Sequence, residues 1–313
     1  MSQYDTLHAA HDLVDAYVRQ VEEPVYPSGI KAIDHALMGG FRKKALYIVA
    51  ARPGDGKSSL VLSLVRRMAL EYDTASLFLS LEMSKQELTE RMVAQATLRP
   101  LLELQAARQA GTLEALTARL KEQLAERWLH LEDLRGATIE DLEALWQELQ
   151  EAERKPDVLV IDHLQQIPMP YGVSRADAIS SYMADLKRFV KQKDIIGIIC
   201  SQINREGADA PELIHLKSSG GIEENADVVF LCTRPGSEKA KTLEDKAADS
   251  EFQIHIAKHR RGPELSLILT FRPPCFEFLE PMAYGQGRHP ALEVPVFEEE
   301  SASTNERDTI VIP

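Results

Sequence analysis

The segment ARPGDGKSS, from Ala51 to Ser59, constrains this chain more than any other, because an apolar stretch, ALYIVA, runs into it and an apolar-periodic stretch, LVLSLVRRMAL, runs out. A strand, a glycine-bearing loop and a helix in that order make a phosphate cradle. Backbone N–H groups around Gly54, Asp55 and Gly56 face an anion at a helix N-terminus, Lys57 reaches the terminal phosphates, and the Ser58 hydroxyl is a magnesium ligand. Arg52, Pro53 and Ser59 complete the same loop. The first glycine of the usual spacing is Ala51 here, so the flanking strand and helix carry the assignment. The motif implies binding of a nucleoside triphosphate with Mg2+.

Further apolar runs, Ala45 to Ala50, Ser76 to Ser80, Val158 to Ile161 and Ile195 to Ser201, alternate with helical patterns. Strands apolar on both faces and separated by helices predict an α/β fold with a mainly parallel sheet covered on both sides. Ser84 with Glu87, and Thr138 with Asp141, read as capping boxes, and Pro100 to Trp128 reads as one or two surface helices. From Val228 onward VVFLCT, FQIHIAK, LSLILTF and CFEFL predict short antiparallel strands, the middle two joined by the turn HRRGPE. We divide the chain into an amphipathic helical arm at 1–25, one domain at 26–280 and an acidic mobile tail at 281–313.

A net charge of -13 excludes a generally basic, nucleic-acid-coating protein and confines any polyanion site to a local track. Cys200, Cys232 and Cys275 lack zinc-ligand spacing and read as small core residues. No apolar run is long enough to cross a bilayer, which points to a reducing, cytoplasmic setting without a membrane partner.

Three strand ends carry polar residues suited to phosphate chemistry. Asp162 closes VLVID, where a phosphate-loop enzyme holds the carboxylate that orients magnesium. Glu82, in SLEMS, follows the next strand; it either activates water or complements a helix dipole. Gln202, in IICSQINR, offers an amide that could sense the terminal phosphate.

Taken in order, ARPGDGKSS, SLEMS, VLVIDHLQQ, SQINR, SSGGIEENAD and KHRRGP resemble the C-terminal motor domain of DnaB-type replicative helicases, a RecA-like P-loop NTPase fold, from about Ser28 to about Leu279. The resemblance implies an ATP-dependent DNA helicase working as a ring-shaped homo-hexamer on single-stranded DNA. On matching positions Lys57 and Ser58 are phosphate and magnesium ligands, Glu82 the catalytic base, Asp162 the magnesium-orienting aspartate and Gln202 the coupling glutamine. In the basic turn, Arg260 matches an arginine finger acting on ATP bound to the adjacent subunit and Lys258 its companion, with adjacent Arg261 leaving the register open by one residue. DNA contact is expected from Asn204, Arg205, Lys217, Ser218, Ser219, Gly220 and Gly221, although NREGADAPEL is poor in basic residues.

The chain departs from the family in three ways. Only the short arm precedes the motor, so collar-mediated primase contact is unsupported, though a helicase loader or primase stays a possible partner. His163 stands where a tyrosine is usual and reads as structural, not as a metal ligand. Ser181 stands where a glutamate is common. The alternative readings are a recombinase or clock-type ATPase that assembles without unwinding, and a regulatory helicase paralogue.

Overall fold

The computed structural model describes residues 18, 23–134, 136–204, 211–216, 219–236, 242 and 248–281. Most of the predicted arm, the predicted tail beyond Pro281, and Arg205, Lys217 and Ser218 lie outside the described residues.

After a short helix α1 (Lys31–Ala36), strand β1 (Leu46–Ala51) leads through the glycine loop into α2 (Lys57–Tyr72). Then come β2 (Ser76–Ser80), α3 (Lys85–Thr97), α4 (Leu101–Gln109), α5 (Leu113–Ala125), β3 (Leu129–Asp133), α6 (Ile139–Glu151) and β4 (Val158–Asp162). Helix α7 (Arg175–Lys193), β5 (Ile196–Gln202), α8 (Ser219–Asn225) and β6 (Val228–Thr233) follow, and the antiparallel strands β7 (Ser250–His259), β8 (Leu265–Arg272) and β9 (Glu277–Leu279) end the sheet. The sheet order is β3-β2-β4-β5-β1-β6-β7-β8-β9. Pairing is parallel from β3 through β6 and antiparallel from β6 to β9.

Because successive side chains of a strand point to opposite faces, each central strand feeds two cores. Tyr47, Val49, Phe78, Val160, Ile198 and Phe230 pack on one face with Leu60, Leu64 and Met68 of α2. Ile48, Leu79, Ile161, Ile199 and Leu231 pack on the other with Trp146 of α6 and Met183, Leu186 and Phe189 of α7. Both faces are dry, which is why these strands read as unbroken apolar runs and not as alternation.

The sequence reading missed β3. Its residues LHLED are all half-buried at the sheet edge, with His130 between the leucines and Glu132 and Asp133 after them, so no apolar run marks it.

Both capping boxes form. Ser84 accepts from Glu87 N–H while Glu87 accepts from Ser84 N–H, and Thr138 and Asp141 reciprocate in the same way. Thr138→Ala should therefore cost about 1 kcal/mol, measured by chemical denaturation. The N–H and hydroxyl of Thr138 hold the Asp141 carboxyl below its ordinary pKa. This contribution is thus present above the usual carboxylate range and fades as pH falls through the depressed value.

Candidate functional site

Strand register brings the expected residues into one row. Ala51 lies beside Gln202, and Ser80 beside Asp162, so β1, β5, β4 and β2 end together at the carboxyl edge of the parallel sheet. That edge is where open α/β sheets bind ligands.

The glycine loop leaves β1 at Arg52 and Pro53 and turns through Gly54 (φ +87°) and Gly56 (φ +100°), backbone that a side chain would strain. Asp55 N–H bonds to the Arg52 carbonyl at 3.2 Å. Gly56 rests on Phe252, Phe271 and Phe278, whose rings pack at centroid distances of 4.6 to 6.3 Å. Helix α2 begins without a side-chain cap, so its first N–H groups, including those of Ser58 and Ser59, suit an anion.

Lys57 Nζ lies 2.7 Å from Asp162 Oδ1 and 3.3 Å from Ser58 Oγ, with the lysine and aspartate side chains only 8% and 2% exposed. Burial opposes charge on both, and their mutual attraction overcomes it: Lys57 is held above and Asp162 below its ordinary pKa. The pair stays ionised across the neutral range. Cys200 lies beneath it, its thiol pushed well up by burial and so inert.

Glu82 sits one residue past Leu81, whose N–H donates to the Asp162 carbonyl at 2.6 Å. Its side chain is 57% exposed, and its carboxylate lies 3.0 Å from His163 Nδ1. His163 is 1% exposed, and its Nε2 lies 2.8 Å from the Gln202 amide nitrogen. Gln202 N–H also donates to Gln165 Oε1 at 3.2 Å.

Arg91 was not foreseen. It is held over the Phe276 ring at 5.0 Å; burial lowers its pKa, against the pull of Asp162, Glu87 and Glu82. Its signal was available, since Arg91 falls between Leu88 and Gln95 on the buried stripe of α3, a costly place for a guanidinium without a partner.

The basic turn lies elsewhere. His259 pairs with Val228, which pairs with Tyr47, so residues 260–264 stand at the amino-terminal end of β1. From Tyr47 to Ala51 is about 13 Å of strand, more than an arginine side chain spans, and the glycine loop lies beyond it. The turn is tied to the end of α8: Lys258 Nζ donates to the Glu223 carbonyl at 2.5 Å and Arg260 Nη2 to the Glu224 carbonyl at 2.9 Å. Arg260 N–H donates to the Asp227 carbonyl at 3.0 Å, and Asp227 also pairs with Lys187. Arg261 instead binds Glu23 at 2.6 Å.

Of the expected DNA-facing residues, Asn204 N–H donates to the His215 carbonyl at 2.8 Å, beside a bridge between Ile203 and Leu216 that pins the two ends of this loop. Ser219 starts α8, and Gly220 faces open space. Gly221 is buried against Ser180, where a Cβ would come within 2.4 Å of backbone, so its smallness serves the packing of α8 on α7. Among the described residues no group of three or more His, Cys, Asp or Glu side chains could hold a metal, and no helix is long and apolar enough to cross a membrane.

Residues 26–280 match the family described as DnaB-like helicase C terminal domain. The replicative DNA helicase DnaB of Leifsonia xyli is 30% identical over 255 residues, 79% of this chain and 54% of that protein. A probable plasmid replicative DNA helicase of Chlamydia trachomatis is 30% identical over 261 residues, 81% of this chain and 54% of its own length. This chain thus spans about half the length of the curated relatives it matches. Among solved structures, the ATPase domain of G40P superposes with a TM-score of 0.73 at 24% identity, covering 86% of this chain and 97% of that one. A DnaB-like replicative helicase, studied with its interactions with primase, gives the same TM-score and identity over 86% of this chain and 67% of that one. The shared architecture is the RecA-like P-loop fold.

Proposed function

Given that the chain belongs to the DnaB-like helicase C-terminal domain family, we propose that it is an ATP-driven motor that hydrolyses ATP at interfaces between copies of itself and moves along single-stranded DNA. One observation supports this above the rest: a complete phosphate cradle with its carboxylates at one edge of the sheet, and the basic turn at the opposite edge, beyond reach of its own cradle. A cation so placed can act on nucleotide only in another protomer, so the fold favours a shared site and an assembly such as the homo-hexameric ring.

In this reading the loop N–H groups and Lys57 bind the phosphates, and Arg91 adds positive charge at the rim. Glu82 orients and deprotonates the attacking water, Gln202 reads the terminal phosphate, and Arg260 with Lys258 stabilises transition-state charge next door. Ser58 and the buried Asp162 fit Mg2+, being hard oxygen donors for an ion that keeps several waters and so needs no third protein ligand. Bound there, it would neutralise charge on the phosphate oxygens. Asn204, Arg205, Lys217, Ser218, Ser219 and Gly220 are the proposed DNA track. A loader or primase would be a partner of the assembled protein, in a cytoplasmic setting.

The test is ATP hydrolysis with and without single-stranded DNA, with particle mass measured on the same samples. We expect turnover to rise with DNA and to reside in the assembled species. Turnover indifferent to DNA, or sustained by a single copy at high dilution, would refute the proposal.

A further inference from the structure

The sheet order β2-β4-β5 places the residue that follows β4 between the loop after β2 and the end of β5. That residue is His163, and it touches both sides: Nδ1 lies 3.0 Å from the Glu82 carboxylate and Nε2 lies 2.8 Å from the Gln202 amide nitrogen. We infer that His163 is a positioning residue that ties the water-activating carboxylate to the phosphate-reading amide, so that movement of Gln202 is felt at Glu82. This rests on the roles proposed above for Glu82 and Gln202.

The chemistry of the three groups fixes how the bridge is wired. The amide nitrogen of Gln202 only donates, so Nε2 is the acceptor and the ring hydrogen sits on Nδ1, which lies 3.0 Å from the Glu82 carboxylate in close contact but out of hydrogen-bond alignment. The imidazole thereby sets the way round the amide lies and stands as an immobile wall against the carboxylate. The need for such a tie is visible in the exposures, since the Glu82 side chain is 57% exposed on a loop while His163 is 1% exposed and held by its surroundings. A water-activating group misplaced by as little as 1 Å loses much of its effect, so a loop carboxylate gains from an immobile neighbour. Gln202, at the end of β5, leads directly into the loop closed by the pair Ile203 and Leu216, where the proposed DNA track begins. The bridge therefore joins the strand that enters that loop to the Glu82 carboxylate.

Three variants in the full chain separate this role from simple packing. His163→Leu removes both contacts, His163→Asn keeps a polar group near the position of Nδ1, and His163→Gln keeps one near Nε2. We expect His163→Leu to lower kcat for ATP about tenfold or more, as loss of supporting contacts does elsewhere. The KM should change less than about twofold, since no phosphate contact is lost, and stimulation by single-stranded DNA should fall toward none. Asn should restore basal turnover without stimulation, and Gln should restore part of the stimulation ratio on a lowered base. If His163→Leu does not fold, the Asn and Gln pair decides the matter through opposite losses. Parallel falls in thermal stability and activity with an unchanged stimulation ratio would reduce His163 to packing and overturn the inference. A wild-type protein that ignores DNA would instead bring down the functional reading, and the bridge with it.

Discussion

Mixed in equal amounts, Glu82→Gln and Arg260→Ala proteins should recover ATPase activity that neither has alone. Each single variant should lose about a thousandfold or more, the first by removing the base and the second by removing the finger. Glu82 lies at the carboxyl edge beside its own cradle, whereas Arg260 lies at the other end of the sheet, tied to the Glu224 carbonyl. If the finger acts across an interface, a random assembly pairs an intact cradle with an intact finger at about one interface in four, and activity returns to about a quarter of wild type for independent sites. A finger acting within its own protomer predicts no recovery, because every cradle would then miss either base or finger. Neither change should disturb the fold: the Glu82 side chain is 57% exposed and the Arg260 side chain 51%. Nucleotide binding by Arg260→Ala should persist, since the cradle is untouched. Running the same mixture with Arg261→Ala settles the register. Arg261 is held by Glu23 at 2.6 Å, and recovery with Arg261→Ala but full activity of Arg260→Ala would move the finger by one position.

The strand ends were legible in sequence because a buried parallel strand announces itself as an apolar run, and the polar residue that ends it is then conspicuous. Asp162 after VLVI and Gln202 after IICS were found this way. The phosphate loop was legible for the complementary reason that its glycines, lysine and serine must be contiguous. What sequence withheld were relations between strands. His163 reads as one isolated histidine until the order β2-β4-β5 sets it between Glu82 and Gln202. The separation of the basic turn from the cradle depends likewise on β7 running antiparallel to β6, which reverses the end at which its turn emerges. The packing need for Gly221 was hidden because a run of small residues looks the same whether it faces a ligand or a helix, and only the approach of Ser180 shows it. Edge strand β3 escaped for want of an apolar run.

A second large effect is expected far from the chemistry, at Glu277 in β9. Its carboxylate is fully buried and accepts from Ser63 Oγ at 2.7 Å, Arg66 Nη2 at 2.7 Å and Arg67 Nη2 at 2.9 Å, all three on α2. Arg67 also donates to the Phe278 carbonyl at 3.1 Å, so the last strand of the sheet is stitched to the helix that follows the glycine loop. Desolvating these charges costs about as much as their attraction returns, so the network as a whole adds little, but breaking it on one side leaves buried charge uncompensated. Glu277→Ala strands the Arg66 guanidinium, whose side chain is only 10% exposed, while Arg67, at 19%, keeps the Gly29 and Phe278 carbonyls. The expected loss is about 3 to 5 kcal/mol, which for a domain of this size lowers Tm by about 10 °C. Replacing both sides of the buried pair, Glu277→Leu with Arg66→Met, should recover most of that loss, because apolar groups of similar volume need no partner, while Arg67 can turn its head to water. Chemical denaturation of the two variants tests the argument directly. A loss below about 1 kcal/mol in Glu277→Ala would mean that water already reaches these groups. A double variant as unstable as the single one would mean that β9 is held through the charges themselves and not through the Phe252, Phe271 and Phe278 cluster beneath the glycine loop.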